Sequence, residues 1–486
     1  MDYNIPEKGR SYEDILAALE GFGQDDPIYK EGKLWSLVYY LDKEYTEFLE
    51  AAYAKYFSAN GLNPTAFKSL KRLEKDILKF TAKLFHIGDN ACGVVTSGGT
   101  ESCLLAVKTY RDLGSAKGIR KPEMILPETA HVAWDKGSEY FKVKIRRAPL
   151  DRGFKVDIKA VENLINKNTV LILGSAPEYP HGIIDPIEDL GKIAEKHSIP
   201  LHVDACVGGY LLPFMEANGT DLPLWDFRVS GVTSISADIH KYGFAAKGAS
   251  CLLYRSIDYF KYQIFVNQDW PGGVFASPAL LGTRPGGAYS AAWASIQANG
   301  MEGYQQLAKR TMAAAKRLKK GISEIDGLEI IGDPQASLLS YRSVSPRLNI
   351  FAVGDVMENK GWFIDRIQRP DGLHAMVTAS HDKVIEEYLA DLRASVKTAL
   401  AHPELGEIGQ AATYGMISHI PLRGVVKKQV ADLFATSYQL NAEEIDLSKN
   451  ELLAGDSELK SAADKVGTLQ KLINWYVKKQ MQKNST

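Results

Sequence analysis

The 486-residue sequence lacks most features that would place it in a specialised class of proteins. Its four cysteines show no CxxC pair and no zinc-ligand spacing, so we expect buried reduced thiols and no metal. No stretch approaches about 18 uninterrupted apolar residues, so we see no transmembrane helix. The 58 Lys and Arg nearly cancel the 59 Asp and Glu, which gives no sign of nucleic-acid binding.

Repeats, low-complexity segments and the apolar core of a signal peptide are also missing. What remains is an ordinary globular composition, 45% hydrophobic and 24% charged. The length allows two or three domains with a large core. We therefore expect a soluble, cytoplasmic protein.

Short apolar segments alternate with helical patterns over the first 300 residues. The predicted helices include 44–57, 67–86, 101–112, 158–166 and 186–197. The predicted strands include 124–126, 144–146, 170–174, 201–204, 234–236 and 249–254. Such alternation indicates an α/β fold with a largely parallel sheet, whose ligands lie beyond the carboxyl ends of the strands.

The second half of the chain has a different pattern. A long helix is predicted over 301–322, followed by apolar segments typical of strands at 328–331, 347–353 and 372–378. Helices between them indicate a smaller α+β region. The predicted domains are an N-terminal helical segment (1–60), a large domain (61–300), a small domain (301–425) and a C-terminal helical extension (426–486).

A His-Lys pair and an aspartate follow two of the predicted strands. Asp204 closes one strand, and His240-Lys241 comes just after another. This combination suits pyridoxal 5'-phosphate, because the lysine can hold the cofactor covalently while the aspartate keeps its pyridine nitrogen protonated. A lone His-Lys pair would more often be a surface turn, so the prediction depends on the neighbouring motifs.

One of those motifs is the turn Gly98-Gly99-Thr100, which leads from a strand into a helix. Free backbone N–H groups and the helix dipole make such a start an anion site. It is neither a P-loop nor a GxGxxG fingerprint, and a simple glycine-rich turn is the alternative. Beside Asp204 and Lys241, the anion would be the cofactor phosphate, within reach of Ser236 and His240 as well.

His131 follows the next predicted strand. Its imidazole could cover one face of the cofactor ring. The alternative is a histidine at a helix start with ordinary hydrogen bonds.

Together these motifs resemble the group II pyridoxal-phosphate decarboxylase family, and within it the sphingosine-1-phosphate lyases. The stretches that carry the resemblance are 96–102, 180–186, 200–206, 231–238, 240–243, 269–273, 282–287 and 414–416. The resemblance implies fold type I, which is aspartate aminotransferase-like, with a mostly parallel seven-stranded sheet and a smaller α+β C-terminal domain. It also implies a homodimer and cleavage of a phosphorylated sphingoid base to a long-chain aldehyde and phosphoethanolamine.

The resemblance also assigns roles to individual residues. Lys241 would bind the cofactor, Asp204 would pair with its pyridine nitrogen, and His131 would stack on its ring. The residues that would hold the phosphate are Gly99, Thr100 and His240, with Gly282 and Thr283 reaching from the partner subunit. The residues that would line the substrate site are Tyr39, Lys247 and Tyr414.

One position departs from the family pattern. Asn63 stands where the lyases carry a histidine, and asparagine can donate a hydrogen bond to a phosphate but cannot titrate. The alternatives to the lyase are an amino-acid decarboxylase on the same scaffold and a non-catalytic binding protein, although Asp204, His240 and Lys241 argue against the latter.

Two expectations concern surfaces. The segment 282–287 is too glycine-rich for a stable strand or helix, so it is predicted to contact an anion across a two-fold axis, or else to form an intramolecular loop. The C-terminal tail, 468–486, is basic and amphipathic. It could lie on an anionic membrane, or dock on the protein with a solvated basic side.

Overall fold

A seven-stranded sheet forms the centre of the molecule. The computed structural model describes residues 5–24, 26–63, 65–419 and 423–440. The strands of the sheet are β1 (Cys92–Thr96), β2 (Glu123–Pro127), β3 (Lys144–Ala148), β4 (Thr169–Ser175), β5 (Leu201–Asp204), β6 (Val232–Asp238) and β7 (Ser250–Tyr254). Their spatial order is β1-β7-β6-β5-β4-β2-β3.

Six of the seven strands run in one direction. The neighbours from β6 to β3 pair in parallel, whereas β7 is antiparallel to both β1 and β6. Strands β2, β4 and β6 are buried along their whole length, as expected for a parallel sheet covered on both faces. The predicted α/β fold with a mostly parallel sheet is therefore confirmed, and the carboxyl ends of six strands meet at one edge.

Helices cover this sheet and the connections around it. They are α1 (Tyr12–Phe22), α2 (Lys43–Ala54), α3 (Lys68–Leu84), α4 (Gly99–Ala116), α5 (Ala133–Phe141), α6 (Ile158–Leu164), α7 (Ile187–His197), α8 (Leu212–Ala217) and α9 (Ile257–Phe260). A hairpin of β8 (Phe265–Asn267) and β9 (Phe275–Ser277) follows. It leads into the long helix α10 (Gly286–Ser323).

The C-terminal region contains a second, antiparallel sheet. Its strands are β10 (Leu328–Ile330), β11 (Leu338–Ser343), β12 (Asp365–Ile367) and β13 (Gly372–Met376), in the order β10-β11-β13-β12. The helices are α11 (Ile350–Glu358), α12 (Ile385–Ala401), α13 (Gly409–His419) and α14 (Arg423–Ser437). The buried residues Trp35, Trp362 and Tyr388 belong to its core, so an N-terminal segment completes this smaller region.

Helix α10 consists of two helices that meet at Gly300, where φ is 54° and favours glycine. The second part matches the helix predicted over 301–322, whereas the first part, from Gly286, was not predicted. Gly286 and Gly287, expected to be too flexible for a helix, form its first turn. A Cβ on Gly287 would lie 2.4 Å from the Tyr53 ring, so this glycine allows α10 to pack against α2.

The apolar segment 347–353 does not form the predicted strand. Its second half is the start of α11, and the Asn349 side chain accepts hydrogen bonds from the backbone N–H groups of Phe351 and Ala352. This N-cap satisfies free donors of the first turn, which the apolar run alone did not reveal. The predictions also omitted β11, β12 and the β8–β9 hairpin.

The loop after β4 joins the two sheets. Ser340 Oγ donates to Pro180 O at 2.5 Å, and His374 Nε2 donates to Tyr179 O at 3.0 Å. The Tyr179 hydroxyl donates to Asp365 Oδ2 at 2.7 Å. These bonds fix the loop where the carboxyl edge of the large sheet meets the smaller one.

No helix among the described residues is long and apolar enough to span a membrane. The basic tail at 468–486 lies outside the described residues, and so does most of the predicted extension 426–486. The three predicted domain boundaries stay predictions.

Candidate active site

A cavity of about 420 Å³ opens at the carboxyl edge of the large sheet. The connections after β1, β2, β4, β5 and β6 all contribute to its wall. Six residues predicted from the sequence line it: Gly99, Thr100, His131, Asp204, His240 and Lys241. They come together because parallel strands deliver their carboxyl ends to the same edge.

The N-terminus of α4 forms one wall of the cavity. The helix begins at Gly99, so the N–H groups of its first turn have no intrahelical acceptor. A Cβ on Gly99 would lie 2.8 Å from Asp238 Oδ2 and 2.9 Å from Cys206 Sγ. Only glycine therefore fits here, and the helix start has the partial positive charge that binds phosphate.

Asp204 is held as a buried carboxylate at the end of β5. Its Oδ2 accepts a hydrogen bond from Trp134 Nε1 at 2.9 Å, and its Oδ1 accepts one from the Cys206 N–H at 3.1 Å. Burial alone would raise the pKa of Asp204, but the Trp134 hydrogen bond and the nearby His131 lower it below its ordinary value. The carboxylate is therefore ionised and suited to a protonated ring nitrogen.

Ser236 lies behind Asp204 and is not among the residues that line the cavity. Its hydroxyl is 3.1 Å from His202 Nε2, while Ser234 Oγ is 2.7 Å from His202 Nδ1. Burial lowers the pKa of His202 to about 4, so this imidazole is neutral. Ser236 thus lies outside the cavity, where its hydroxyl contacts His202.

Lys241 forms an ion pair that the sequence analysis missed. Its Nζ lies 2.9 Å from Oδ2 of Asp238, the last residue of β6. Burial would lower the pKa of Lys241, but the charge and hydrogen bond of Asp238 raise it above its ordinary value. Asp238 ends the stretch 231–238, three residues before Lys241, but nothing in the sequence indicated that it would pair with the lysine.

His131 lies in the loop before α5 and lines the cavity. Its Nδ1 accepts a hydrogen bond from the Ala133 N–H at 3.2 Å, which orients the ring. The Tyr179 ring contacts it edge-to-face, with centroids 6.3 Å apart. Tyr179 also lines the cavity and was missed, because its position depends on the bond to Asp365 in the distant β12.

Lys247 and Tyr39 lie next to each other, close to the lysine motif. Lys247 Nζ donates to Leu37 O at 2.6 Å and sits 5.1 Å from the centre of the Tyr39 ring. Burial and the charge of Lys241 lower the pKa of Lys247 to about 8. The Tyr39 hydroxyl donates to Met376 Sδ at 2.7 Å, and burial raises its pKa. Neither residue is among those that line the cavity.

The remaining predicted residues are placed elsewhere in this chain. Tyr414 packs on Phe351 and lies 5.5 Å from the Arg366 guanidinium in the C-terminal region. Asn63 Oδ1 accepts hydrogen bonds from the Thr65 N–H and hydroxyl, in a turn lining a separate, smaller pocket. The last two, Gly282 and Thr283, are exposed and do not line the cavity.

Two buried thiols lie beside Asp204. The potential ligand atoms of Cys103, Asp204 and Cys206 all lie within 4.8 Å of one another. A hydrogen bond with Cys103 and burial raise the thiol pKa of Cys206. The same hydrogen bond lowers the pKa of Cys103, but burial raises it to about 11, so both thiols are protonated. The absence of a metal stays a prediction.

The residues of the cavity fit pyridoxal phosphate. The glycine turn at α4 leaves room that a Cβ would fill, Asp204 is an ionised acceptor, and Lys241 supplies an amine. The cavity also has the size of an ordinary small-molecule site. A mostly parallel sheet with this lysine and carboxylate at its carboxyl edge defines an enzyme of the pyridoxal-phosphate-dependent, aspartate aminotransferase-like class.

Comparison with known proteins identifies the family. Residues 46–344 match the pyridoxal-dependent decarboxylase conserved domain. The chain is 42% identical to a rat sphingosine-1-phosphate lyase, over 85% of this chain and 73% of that protein. An Arabidopsis sphingosine-1-phosphate lyase is 41% identical, over 89% and 81%. The chain belongs to the pyridoxal-dependent decarboxylase family, in the branch of the sphingosine-1-phosphate lyases, and its cofactor is pyridoxal phosphate.

Solved structures agree with this placement. A Burkholderia pseudomallei sphingosine-1-phosphate lyase superposes with a TM-score of 0.80 at 35% identity, over 89% of this chain and 97% of that one. A Lactobacillus brevis glutamate decarboxylase, at 20% identity, gives 0.72 over 82% and 95%. The second likeness shows the shared fold only.

Proposed function

We propose that this enzyme cleaves the C2–C3 bond of a phosphorylated sphingoid base, giving a long-chain aldehyde and phosphoethanolamine. The observation that carries this proposal is the similarity to relatives named sphingosine-1-phosphate lyase, which extends over 85% of the chain and includes the cavity residues. Solved structures of a glutamate decarboxylase and a tryptophan decarboxylase resemble the chain at 20% and 15% identity, and that likeness supports the fold alone.

The roles of the cavity residues follow from their positions. When bound, pyridoxal phosphate supplies an electron sink for the bond that breaks at the amine-bearing carbon. Lys241 would hold the cofactor covalently, and the ionised Asp204 would keep its ring nitrogen protonated. The N-terminus of α4 at Gly99 and Thr100, with His240, would bind its phosphate.

Fewer observations identify the base, which is the residue that would take the proton from the substrate hydroxyl. Lys247 is a candidate, because a pKa of about 8 leaves an appreciable neutral fraction near neutral pH. Tyr39 is a weaker one, since burial raises its pKa and its hydroxyl is engaged by Met376. We propose that Lys247 and Tyr39 lie on the side of Lys241 where the substrate binds. Tyr414 and Asn63 would lie at the same substrate-binding end of the site.

One assay separates the lyase from the decarboxylase. The purified enzyme with pyridoxal phosphate is incubated with sphinganine 1-phosphate and, separately, with a panel of amino acids, while aldehyde and carbon dioxide are measured. We expect aldehyde from the phosphorylated base and no carbon dioxide. Carbon dioxide from an amino acid, without aldehyde from the lipid, would contradict the proposal.

We also propose that the enzyme is a homodimer with Gly282 and Thr283 reaching the partner's cofactor. The segment just before these residues carries large, exposed apolar side chains. They are Phe265, Val266, Trp270, Val274, Leu280 and Leu281, each between 44% and 77% exposed. Clustered apolar exposure of this kind marks an interface.

Sedimentation equilibrium tests the dimer. We expect a species of twice the chain mass, 53.6 kDa, at enzyme concentrations that give full activity. The double variant Trp270→Ser with Val274→Ser should weaken the association, whereas Ile257→Ser, another exposed apolar position outside the hairpin, should not. A fully active monomer would rule out the shared site.

A further inference from the structure

Asp238 forms the closest ionic contact with the reactive lysine. Its Oδ2 lies 2.9 Å from Lys241 Nζ, and the two residues are three positions apart at the end of β6. The Asp238 side chain is 1% exposed, while the Lys241 side chain is 26% exposed and faces the cavity. The carboxylate is thus fixed behind an amine that solutes can reach.

The surroundings keep this carboxylate charged. A Cβ on Gly99 would lie within 2.9 Å of both carboxylate oxygens, so the N-terminus of α4 packs directly on Asp238. The positive end of a helix dipole stabilises an anion there. Burial would raise the pKa of Asp238, but the charges of Lys241 and His240 lower it. Its Oδ1 has no hydrogen-bond partner among the described residues, and its Oδ2 also lies 3.7 Å from His240 Nε2, so Lys241 is the nearest counter-charge.

Other charged or titratable groups also face Lys241. They are Asp204 at the end of β5, Cys206 just after it, and His240 and Lys247 in the segment after β6. Asp204 raises the pKa of Lys241 less than Asp238 does. The positive charges of Lys247 and Lys241 repel each other. No other carboxylate in the described structure makes an ion pair with Lys241.

We propose that Asp238 is a positioning residue that holds Lys241 as an ammonium ion whenever the lysine is not bound to the cofactor. The inference rests on the proposed role of Lys241 but not on the identity of the substrate. Asp238 lines the cavity and contacts Lys241 there. It acts through the lysine, whose position and protonation state it sets.

The pairing limits when Lys241 can react. The ammonium must first give its proton to solvent. Only the neutral nitrogen could bond to the aldehyde carbon of the cofactor; its two hydrogens would leave with the aldehyde oxygen as water, so no redox partner would be required. Asp238 therefore slows the reaction of Lys241 with the cofactor at neutral pH. It also keeps Lys241 in a fixed position whenever the lysine is not bound to the cofactor.

Competitive labelling of the full-length protein, stripped of cofactor, measures the proton affinity directly. Acetic anhydride acylates only neutral amines, so the labelling of the Lys241 peptide against pH gives a midpoint by mass spectrometry. We expect the wild-type midpoint to lie above 10.5, the ordinary value for lysine. In Asp238→Asn the midpoint should fall by at least about one pH unit, which raises labelling about tenfold below the midpoint.

The chain offers a matched control. Asp258 and Lys261 have the same three-residue spacing, with Oδ1 and Nζ 3.2 Å apart, but their side chains are 78% and 52% exposed. Asp258→Asn should leave the midpoint of Lys241 unchanged, and should scarcely move that of Lys261 because water screens the pair.

Two results would overturn the proposal. One is a wild-type midpoint at or below 10.5, which would mean that burial outweighs the pairing with Asp238. The other is a folded Asp238→Asn protein whose Lys241 labels like the wild type. If that variant does not fold, the wild-type midpoint decides alone. Neither measurement uses a substrate, so a failure here is distinct from a failure of the lyase assignment.

Discussion

Lys241→Ala is expected to lower turnover of sphinganine 1-phosphate at least about 10³-fold, within the range for loss of a key catalytic group. The variant has no amine at the cavity wall beside Asp238, so it cannot bind the cofactor covalently. Borohydride should then fail to fix pyridoxal phosphate to the chain. In the wild-type enzyme, the same treatment should label Lys241, as seen by peptide mapping.

The phosphate site should survive this substitution. Gly99 and Thr100 belong to the N-terminus of α4, a separate element from the segment after β6 that carries Lys241. We therefore expect Lys241→Ala to retain non-covalent cofactor in equilibrium dialysis. Lys261→Ala, which removes an exposed lysine with a similar aspartate neighbour, should leave turnover and labelling unchanged. A borohydride label on Lys247 would contradict the assignment of Lys241.

Residues that follow strands could be located from the sequence. Gly99, His131, Asp204 and Lys241 each come just after, or at the end of, an apolar segment. Because the strands that precede these residues run in the same direction within one sheet, their carboxyl ends meet at one edge. The order of the strands was not needed for this conclusion, which is why a local pattern was enough.

Contacts between distant segments could not be predicted in the same way. Tyr179 reaches the cavity because Asp365 and His374, almost 200 residues later, hold its loop. Asp238 is close to Lys241 in sequence, but Gly99, which packs against the same carboxylate, comes from a distant segment. Nothing in the sequence distinguishes these polar side chains from others of the same type. Only the tertiary arrangement gives them a role.

The short elements of the C-terminal region show a second limit. Strand β12 has three residues, too few for an alternating pattern to stand out. The segment 347–353 is as apolar as a strand, and the cap at Asn349 turned it into a helix. Local propensity was ambiguous at both places, and packing on the C-terminal core decided the outcome.

Asp204→Asn is expected to lower kcat by about 10²- to 10³-fold, equivalent to about 2.7 to 4 kcal/mol of transition-state stabilisation. Asparagine keeps one oxygen that can accept the Trp134 hydrogen bond, but its NH2 group cannot accept the one from the Cys206 N–H, so the fold loses one buried hydrogen bond. The substitution also removes the negative charge that favours a protonated ring nitrogen. The absorption of the bound cofactor should therefore titrate at lower pH in the variant than in the wild type.

A second buried carboxylate provides the control for this substitution. Asp185 accepts hydrogen bonds from the Ser175 and Val156 N–H groups, and burial raises its pKa to about 7. Asp185→Asn should reduce stability but leave kcat per folded molecule and the cofactor titration close to the wild type. If Asp204→Asn turned over at a near-normal rate, its charge would not serve the electron sink. If both variants lost kcat equally, the loss would reflect damage to the fold rather than the charge beside the ring.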